Sequence, residues 1–253
     1  MTYKNYNYLC AMTLAAEIRK RINQLPEGKT FGYNDLCIAK ENYLTAAKAL
    51  ERIQKEGLIK KVSKGVFYKP QQTIFGELEP VYGELLRSYL FENGKRIAYE
   101  TGSSLYNKLG LTTQMAFQIK IASRKKRINI NRGALQAKAV KSYADVNENN
   151  YQMLGILDAV KDIKNIPDCS VQQALRRLSS ILQTYNEKQT DALIKYALLY
   201  PPRVRAIVGA ILEQIGRENK GLDNLNASLN PLSTIKLGIN EVELPTKSKW
   251  YIE

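Results

Sequence analysis

The sequence predicts an α+β chain, mainly helical, on three observations. Residues 33–70 run as short helix, turn, longer helix and basic alternating hairpin, the order of a winged helix-turn-helix. Residues 117–140 carry alternating apolar positions that suit a small antiparallel sheet. From Asn150 onward, apolar residues recur three and four apart, as in a bundle of amphipathic helices. The expected organisation is therefore a winged helix-turn-helix over residues 1–72 and a second domain over 73–253. In the second, a small sheet occupies 73–145 and helices occupy 150–218.

Thr13 to Leu25 reads as the first helix, because Leu14, Ile18 and Ile22 recur four apart and Pro26 follows its end. The tyrosine-rich stretch before it has Lys4 and no acid, and reads as a partly ordered tail packing its rings on the domain, with an arm that touches DNA as the alternative. Thr30-Phe31 is a short strand that can join the later hairpin. Tyr33 to Ala39 reads as a short helix, broken at Lys40-Glu41-Asn42. In the longer helix from Tyr43 to Glu56, Ala46, Ala49, Leu50 and Ile53 share a core-facing stripe. Thr45, Lys48, Arg52 and Lys55 fall on the other side, where a recognition helix presents its reading surface. Asn42 has the side chain of an N-cap, and Gly57 suits the left-handed terminating position.

The hairpin from Leu58 to Lys69 turns at Lys64-Gly65. It carries Lys60, Lys61, Ser63, Lys64 and Lys69 with no acid among them. Such side chains seek phosphates, which set affinity, whereas base edges set specificity. We therefore expect Thr45, Lys48 and Arg52 nearest the bases, with Arg19, Lys60, Lys61 and Lys64 on phosphates. The competing reading is a solvated helix face, with Lys48, Arg52 and Lys55 paired to Glu51 and Glu56.

Beyond Pro70, Gln71 to Phe75 reads as the connection between domains. Glu79-Pro80 opens a helix with Tyr82, Leu85, Leu86, Tyr89 and Leu90 on its apolar face, stopped by Asn93-Gly94. Thr101 to Gly110 reads as a short capped helix. Phe117, Ile119 and Ile121 form one strand, Ile128 and Ile130 a second, and Leu135 to Val140 a third. Between the first two lies Arg124-Lys125-Lys126-Arg127, which reads either as a second contact patch or as a charged hairpin tip. Helices follow around Met153 to Val160, Val171 to Leu182 with Ser170 as N-cap, Leu193 to Ala197, and Val204 to Ile215 after Pro201-Pro202. Arg203 and Arg205 sit where the helix dipole disfavours cations, a weak hint of an acidic partner that a surface salt bridge explains as well. Ile235 to Leu244 reads equally as strand or extended tail.

Net charge is +14, from 38 Lys+Arg against 24 Asp+Glu, and it is graded along the chain. Residues 1–70 hold 13 basic and 6 acidic side chains (+7), residues 71–150 hold 12 and 7 (+5), and residues 151–253 hold 13 and 11 (+2). The excess lies where the winged pattern lies, which suits a polyanionic partner. The chain has no histidine, which removes the commonest general base and metal ligand. Cys10, Cys37 and Cys169 match neither a disulfide framework nor zinc spacing, and read as buried free thiols. Gly102-Ser103 invites comparison with nucleotidyltransferases, but no aspartate lies between Asp35 and Asp145 to supply their metal-binding pair. No phosphate-binding loop occurs. The expectation is a protein without enzymatic activity, metal or cofactor. No apolar run reaches the length of a membrane span, and the N-terminus lacks a signal peptide's apolar core, so a cytoplasmic location without membrane contact is expected.

Several segments together resemble one family. They are Leu25-Pro26-Glu27-Gly28, Tyr33 to Leu36, Ser63 to Pro70, Thr101-Gly102, Gly110-Leu111-Thr112-Thr113-Gln114, and Tyr200 to Ala206. This set is similar to the AbiEi-type antitoxins of bacterial type IV toxin–antitoxin pairs. The resemblance implies an N-terminal domain that binds inverted repeats in double-stranded DNA at its own promoter and represses the operon. It also implies a C-terminal domain that counteracts a nucleotidyltransferase-like toxin, usually without a stable complex. It assigns no neutralising residue. Two alternatives stand beside it: a winged-helix regulator or protein-docking module outside any toxin–antitoxin pair, with Arg124 to Arg127 gripping an acidic partner, and an RNA-modifying enzyme working with carboxylates alone.

Overall fold

The computed structural model describes residues 13–63, 65–74, 76–132, 135–217 and 220–253. The tyrosine-rich N-terminal segment, Cys10 and Lys64 lie outside them. The chain is α+β and mainly helical, and it divides into two compact units, residues 1–93 and 94–253. This division falls beyond residue 72, because the segment expected to be a linker folds with what precedes it. Among the described residues no helix is long and apolar enough to cross a membrane.

The first unit opens with α1 (Leu14–Gln24), whose N-terminus is capped by Thr13 Oγ1 accepting from the Ala16 amide. Strand β1 (Thr30–Gly32), helix α2 (Tyr43–Lys55), and strands β2 (Lys60–Ser63) and β3 (Val66–Tyr68) follow. The three strands form one antiparallel sheet in the order β1-β3-β2. Ile18 and Ile22 of α1 share a buried cluster with Ala46, Ala49, Leu50 and Ile53 of α2 and with Phe31 and Phe67 of the sheet. The stripe read from the sequence is therefore the stripe that packs.

Tyr33 to Ala39 is not a helix. The chain makes consecutive turns there, and Cys37 is exposed in the left-handed region at φ 48°. Both Leu36 and Ile38 are buried. A helix would send residues two apart to nearly opposite sides, so burying both requires a turn. The Arg21 guanidinium holds this turn by donating to the Leu36 and Cys37 carbonyls. A 3₁₀ turn at Lys40–Asn42 then leads into α2, and the Asn42 side chain makes no capping bond. Gly57 closes the helix at φ 81°, as its lack of Cβ allows. Residues expected to be a linker form β4 (Gln71–Thr73), which pairs antiparallel with β5 (Gly76–Leu78). Helix α3 (Tyr82–Leu90) follows, burying Leu85 and Leu86. Its Glu84 accepts from the Thr30 amide at 3.1 Å, which ties α3 to β1.

The second unit holds a four-stranded sheet of β6 (Tyr99–Thr101), β7 (Ile119–Ser123), β8 (Ile130–Arg132) and β9 (Leu135–Lys141). Their order is β8-β9-β7-β6. The expected sheet was antiparallel throughout, but β9 runs parallel to β7. Strand β8 lies within the crossover from β7 to β9 and pairs antiparallel on the outer edge of β9. Helix α4 (Ser103–Lys108) follows β6, with Gly102 at φ 73° before it.

Five helices complete the unit: α5 (Tyr151–Lys161), α6 (Val171–Gln183), α7 (Glu187–Ala197), α8 (Pro202–Gln214) and α9 (Lys220–Ala227). Ser170 caps α6 in a capping box with Gln173, and Asn186 caps α7 with Gln189. Between Ile235 and Leu244 the chain makes loops and turns, with one bridge from Ile235 to Ile252. Trp250 is buried with its ring on Gly209, where a Cβ would stand 2.1 Å from ring carbons, and its indole N–H donates to Glu213 at 2.7 Å.

A buried carboxylate sits at the centre of this unit. Asp158 of α5 accepts from the hydroxyls of Tyr99 (2.9 Å), Thr101 (2.7 Å) and Tyr200 (3.1 Å), and Lys161 Nζ lies 3.6 Å away. Burial raises the Asp158 carboxyl above its ordinary value of 3.8, against the opposing pull of Lys161 and the three hydroxyls. These bonds join β6, α5 and the segment before α8. Intramolecular donors occupy both carboxylate oxygens, so the cluster is structural. Removing it strands the Tyr99 and Thr101 hydroxyls, while Tyr200 keeps the Leu154 carbonyl at 3.1 Å, and Asp158→Ala is expected to cost about 3 kcal/mol in urea unfolding at neutral pH. Asp158→Asn, which keeps an acceptor, is expected to cost less. The raised carboxyl makes the folded state bind more protons than the unfolded one above pH 3.8. Its contribution is therefore full below that value and declines as pH rises through the raised one. Wild-type stability minus that of Asp158→Asn should fall with rising pH across the acidic range.

Candidate nucleic-acid interface

Thr45, Lys48, Arg52 and Lys55 are all exposed on α2. Their spacings of three, four and three residues set them on one face of the helix, away from its buried stripe. Leu44 is also exposed, at 82%, in the first turn. Lys55 pairs with Glu51 at 3.1 Å, whereas Lys48 and Arg52 have no ion pair among the described residues. Glu56, expected among their partners, pairs instead with Arg19 of α1. The solvated-face reading thus accounts for Lys55 but leaves Lys48 and Arg52 without carboxylates.

The hairpin places Lys60 and Lys61 in solvent and Ser63 half-buried, with a bulge between Lys61 and Ser63. Val62 turns inward between them. Lys61 has no ion pair among the described residues, while Lys69 lies 3.8 Å from Glu27. Lys60 is bound by Glu77 of β5. That hydrogen bond holds the Lys60 ammonium above its ordinary value and the Glu77 carboxyl below its own. No sequence signal points to this pairing, because Gly76–Leu78, the strand carrying Glu77, lies between the expected linker and the expected helix and reads as neither.

Arg124, Lys125, Lys126 and Arg127 are all exposed, in the second unit. They do not form a hairpin tip, since the strands on either side, β7 and β8, are not neighbours. The run begins the crossover, where Ser123 Oγ accepts from the Lys125 and Lys126 amides. Arg124 lies 4.0 Å from Asp145. Arg203 and Arg205, the misplaced cations of α8, are engaged internally. Arg203 donates to the Lys161 carbonyl, and Arg205 to those of Tyr200 and Ser228. Among the described residues no three His, Cys, Asp or Glu side chains gather as metal ligands. The thiols expected to be buried are exposed at Cys37 and half-buried at Cys169.

Residues 17–190 match the model of a family of unknown function, DUF6088. The chain belongs to that family. The DUF6088 match takes in α2, the β2–β3 hairpin, the mixed sheet and the basic crossover. No curated protein matches this DUF6088 chain. One solved structure that resembles it is the RV2827C protein from Mycobacterium tuberculosis, at 16% identity and a TM-score of 0.41, covering 93% of this chain and 88% of that one.

The Lys60–Glu77 pair leads to a direct test. Glu77→Gln leaves Lys60 without a carboxylate, so the variant should elute from heparin at higher salt than wild type and bind it several-fold more tightly at low ionic strength. An unchanged elution position would mean that the pair does not mask Lys60 in solution.

Proposed function

We propose that this chain is a DNA-binding autorepressor and antitoxin of a type IV toxin–antitoxin pair, acting without catalysis in the cytoplasm. In this reading the first unit is a winged helix-turn-helix. Helix α2 enters the major groove of the chain's own promoter, and the β2–β3 hairpin lies along the phosphates as the wing. One observation carries the reading: Thr45, Lys48 and Arg52 share an exposed face of α2, and the latter two have no carboxylate partner among the described residues. The order α1-β1-α2-β2-β3, with β1 and the hairpin in one sheet, supports it. It departs from the usual arrangement in replacing the middle helix with the turn at residues 33–37.

Thr45, Lys48 and Arg52 are then assigned to base edges and Lys61 to phosphate. Arg19, Lys55 and Lys60 contact phosphates only after giving up Glu56, Glu51 and Glu77, which lowers their contribution. The AbiEi-like segments support assigning the second unit to counteracting a nucleotidyltransferase-like toxin. The absence of histidine supports a non-catalytic role. A second reading, a protein-docking module, is favoured by one observation, the exposed Leu44 one turn before Lys48.

Mobility-shift titration against the chain's own promoter at two salt concentrations tests the assignment. Arg52→Ala should cost about 1–3 kcal/mol and relax sequence preference. Lys61→Ala should weaken all duplexes alike and reduce the salt slope by about 1. Unchanged binding by both variants, or binding of a protein partner through Leu44 with no measurable duplex affinity, overturns the DNA reading.

A further inference from the structure

One end of one face of the mixed sheet in the second unit is left uncovered. Side chains alternate along strands, so the registers of β7, β8 and β9 decide which residues share it. Lys120 and Lys138 are direct neighbours across β7 and β9, and Asn131 faces Gln136 across β8 and β9. Gln118 and Asn129 extend the same rows by one further step. All six side chains are exposed, whereas Ile119, Ile121, Ile130 and Ala137, on the opposite face, are buried. Gln118, Asn129, Asn131, Gln136 and Lys138 line a shallow groove of about 310 Å³. Phe117, immediately before Gln118, is 99% exposed, and Met115 is 87% exposed.

The charge around this groove is one-sided. Residues 101–144 contain nine Lys and Arg and no Asp or Glu. The nearest acid before them, Glu100, is occupied by Lys108 at 2.8 Å and Ser104 at 2.7 Å. Lys120 and Lys138 therefore stand side by side on adjacent strands without a carboxylate between them, an arrangement that repels. The stem of Lys120 lies across Gly102, where a Cβ would be 2.9 Å from its Cδ, so the glycine makes room for it. The Asn129 side-chain oxygen accepts from the Ala139 amide at 3.0 Å, which fixes that side chain on the sheet.

We propose that this face binds a single-stranded nucleic acid, with Lys120 and Lys138 on phosphates and Asn131 and Gln136 on base edges. The charge complements a polyanion. The amides supply paired donors and acceptors of the kind base edges require. An acidic protein segment would use the lysines but not four amides in a groove free of carboxylates. This surface is separate from the duplex-reading helix of the first unit and does not rest on that assignment.

Fluorescence anisotropy of the full chain with fluorescein-labelled 12-nucleotide oligo-U and oligo-dT tests the proposal, the two arms distinguishing RNA from DNA. The double variant Lys120→Ala/Lys138→Ala should bind at least tenfold more weakly than wild type. Its log–log salt slope should fall by roughly 1.4, about 0.7 for each single-strand phosphate that is no longer neutralised. Asn131→Ala/Gln136→Ala should weaken binding with the slope unchanged, a result that mere loss of charge does not produce. Circular dichroism and urea unfolding of each double variant serve as the folding control and should stay as in wild type. Single-strand affinity unchanged in both double variants overturns the proposal. So does lysine-dependent binding of polyglutamate with no binding of either oligonucleotide.

Discussion

Ala46, Ala49, Leu50 and Ile53 leave α2 with one way to lie against α1, Phe31 and Phe67. A rotation of α2 by one residue, about 100°, would expose part of that stripe and bury polar side chains in its place. Leu50 and Ile53 are nearly or wholly inaccessible, and uncovering each would cost roughly 1.5–3 kcal/mol. Ala46 and Ala49 are buried in the same stripe. The direction in which Lys48 and Arg52 point is therefore set by the hydrophobic face, not by anything the cations do themselves. The chemistry of the exposed face is free to vary while its orientation is not.

This division explains which parts of the molecule were legible in the sequence. The stripe of α2, the closing glycine at residue 57, the joining strand at Thr30-Phe31 and the cap at Ser170 are local signals, each decided within a few residues. Tyr33 to Ala39 failed because a seven-residue helix has little stability of its own, and tertiary burial of Leu36 and Ile38 outweighed it. Gln71 to Phe75 looked like a linker because Pro70 marks a boundary before it. A two-stranded hairpin with exposed faces leaves little apolar pattern to read. The direction of β9 failed for a different reason. Alternation reports that a segment is a strand and which face is apolar, but not which neighbour it pairs with. The connection between β7 and β9 contains β8 and is long enough for a crossover, so the parallel pairing is sterically open.

The candidate surfaces show the same limit. The helix spacing brought Thr45, Lys48, Arg52 and Lys55 together correctly, since one helix sets them all. It offered Glu51 and Glu56 as partners for Lys48, Arg52 and Lys55, of which only the Lys55–Glu51 pair is present among the described residues. Glu56 goes to Arg19 and Glu77 to Lys60, across 37 and 17 residues of sequence, and both pairings depend on packing between elements. The groove on the mixed sheet was invisible for a related reason. Gln118, Asn129, Asn131, Gln136 and Lys138 come from three strands and their flanks, and only the β8-β9-β7 order makes them one surface.

Charge without counter-charge separates the cations that hold the fold from those that face outward. Arg21, Arg203, Arg205 and Arg217 give their guanidiniums to backbone carbonyls, filling acceptors left at turns and helix ends. Arg19, Lys55, Lys60 and Lys108 each have a carboxylate. Lys48, Arg52 and Lys61 in one unit, and Lys120 and Lys138 in the other, have neither kind of partner among the described residues. Pairing with an acid costs a surface lysine little, and 24 acids were available. Cations with neither kind of partner among the described residues also occur elsewhere, as at Lys20, Lys29, Lys188 and Lys195. Of the unpartnered cations, two share a single helix face in the first unit, and two occupy adjacent register positions on a sheet in the second. Repulsion within each group is tolerated by the folded chain, and a polyanion lying across it would relieve that repulsion. In the two proposed readings the same electrostatics serve both surfaces, while their shapes, an exposed helix face and a shallow amide-lined groove, suit different nucleic-acid forms.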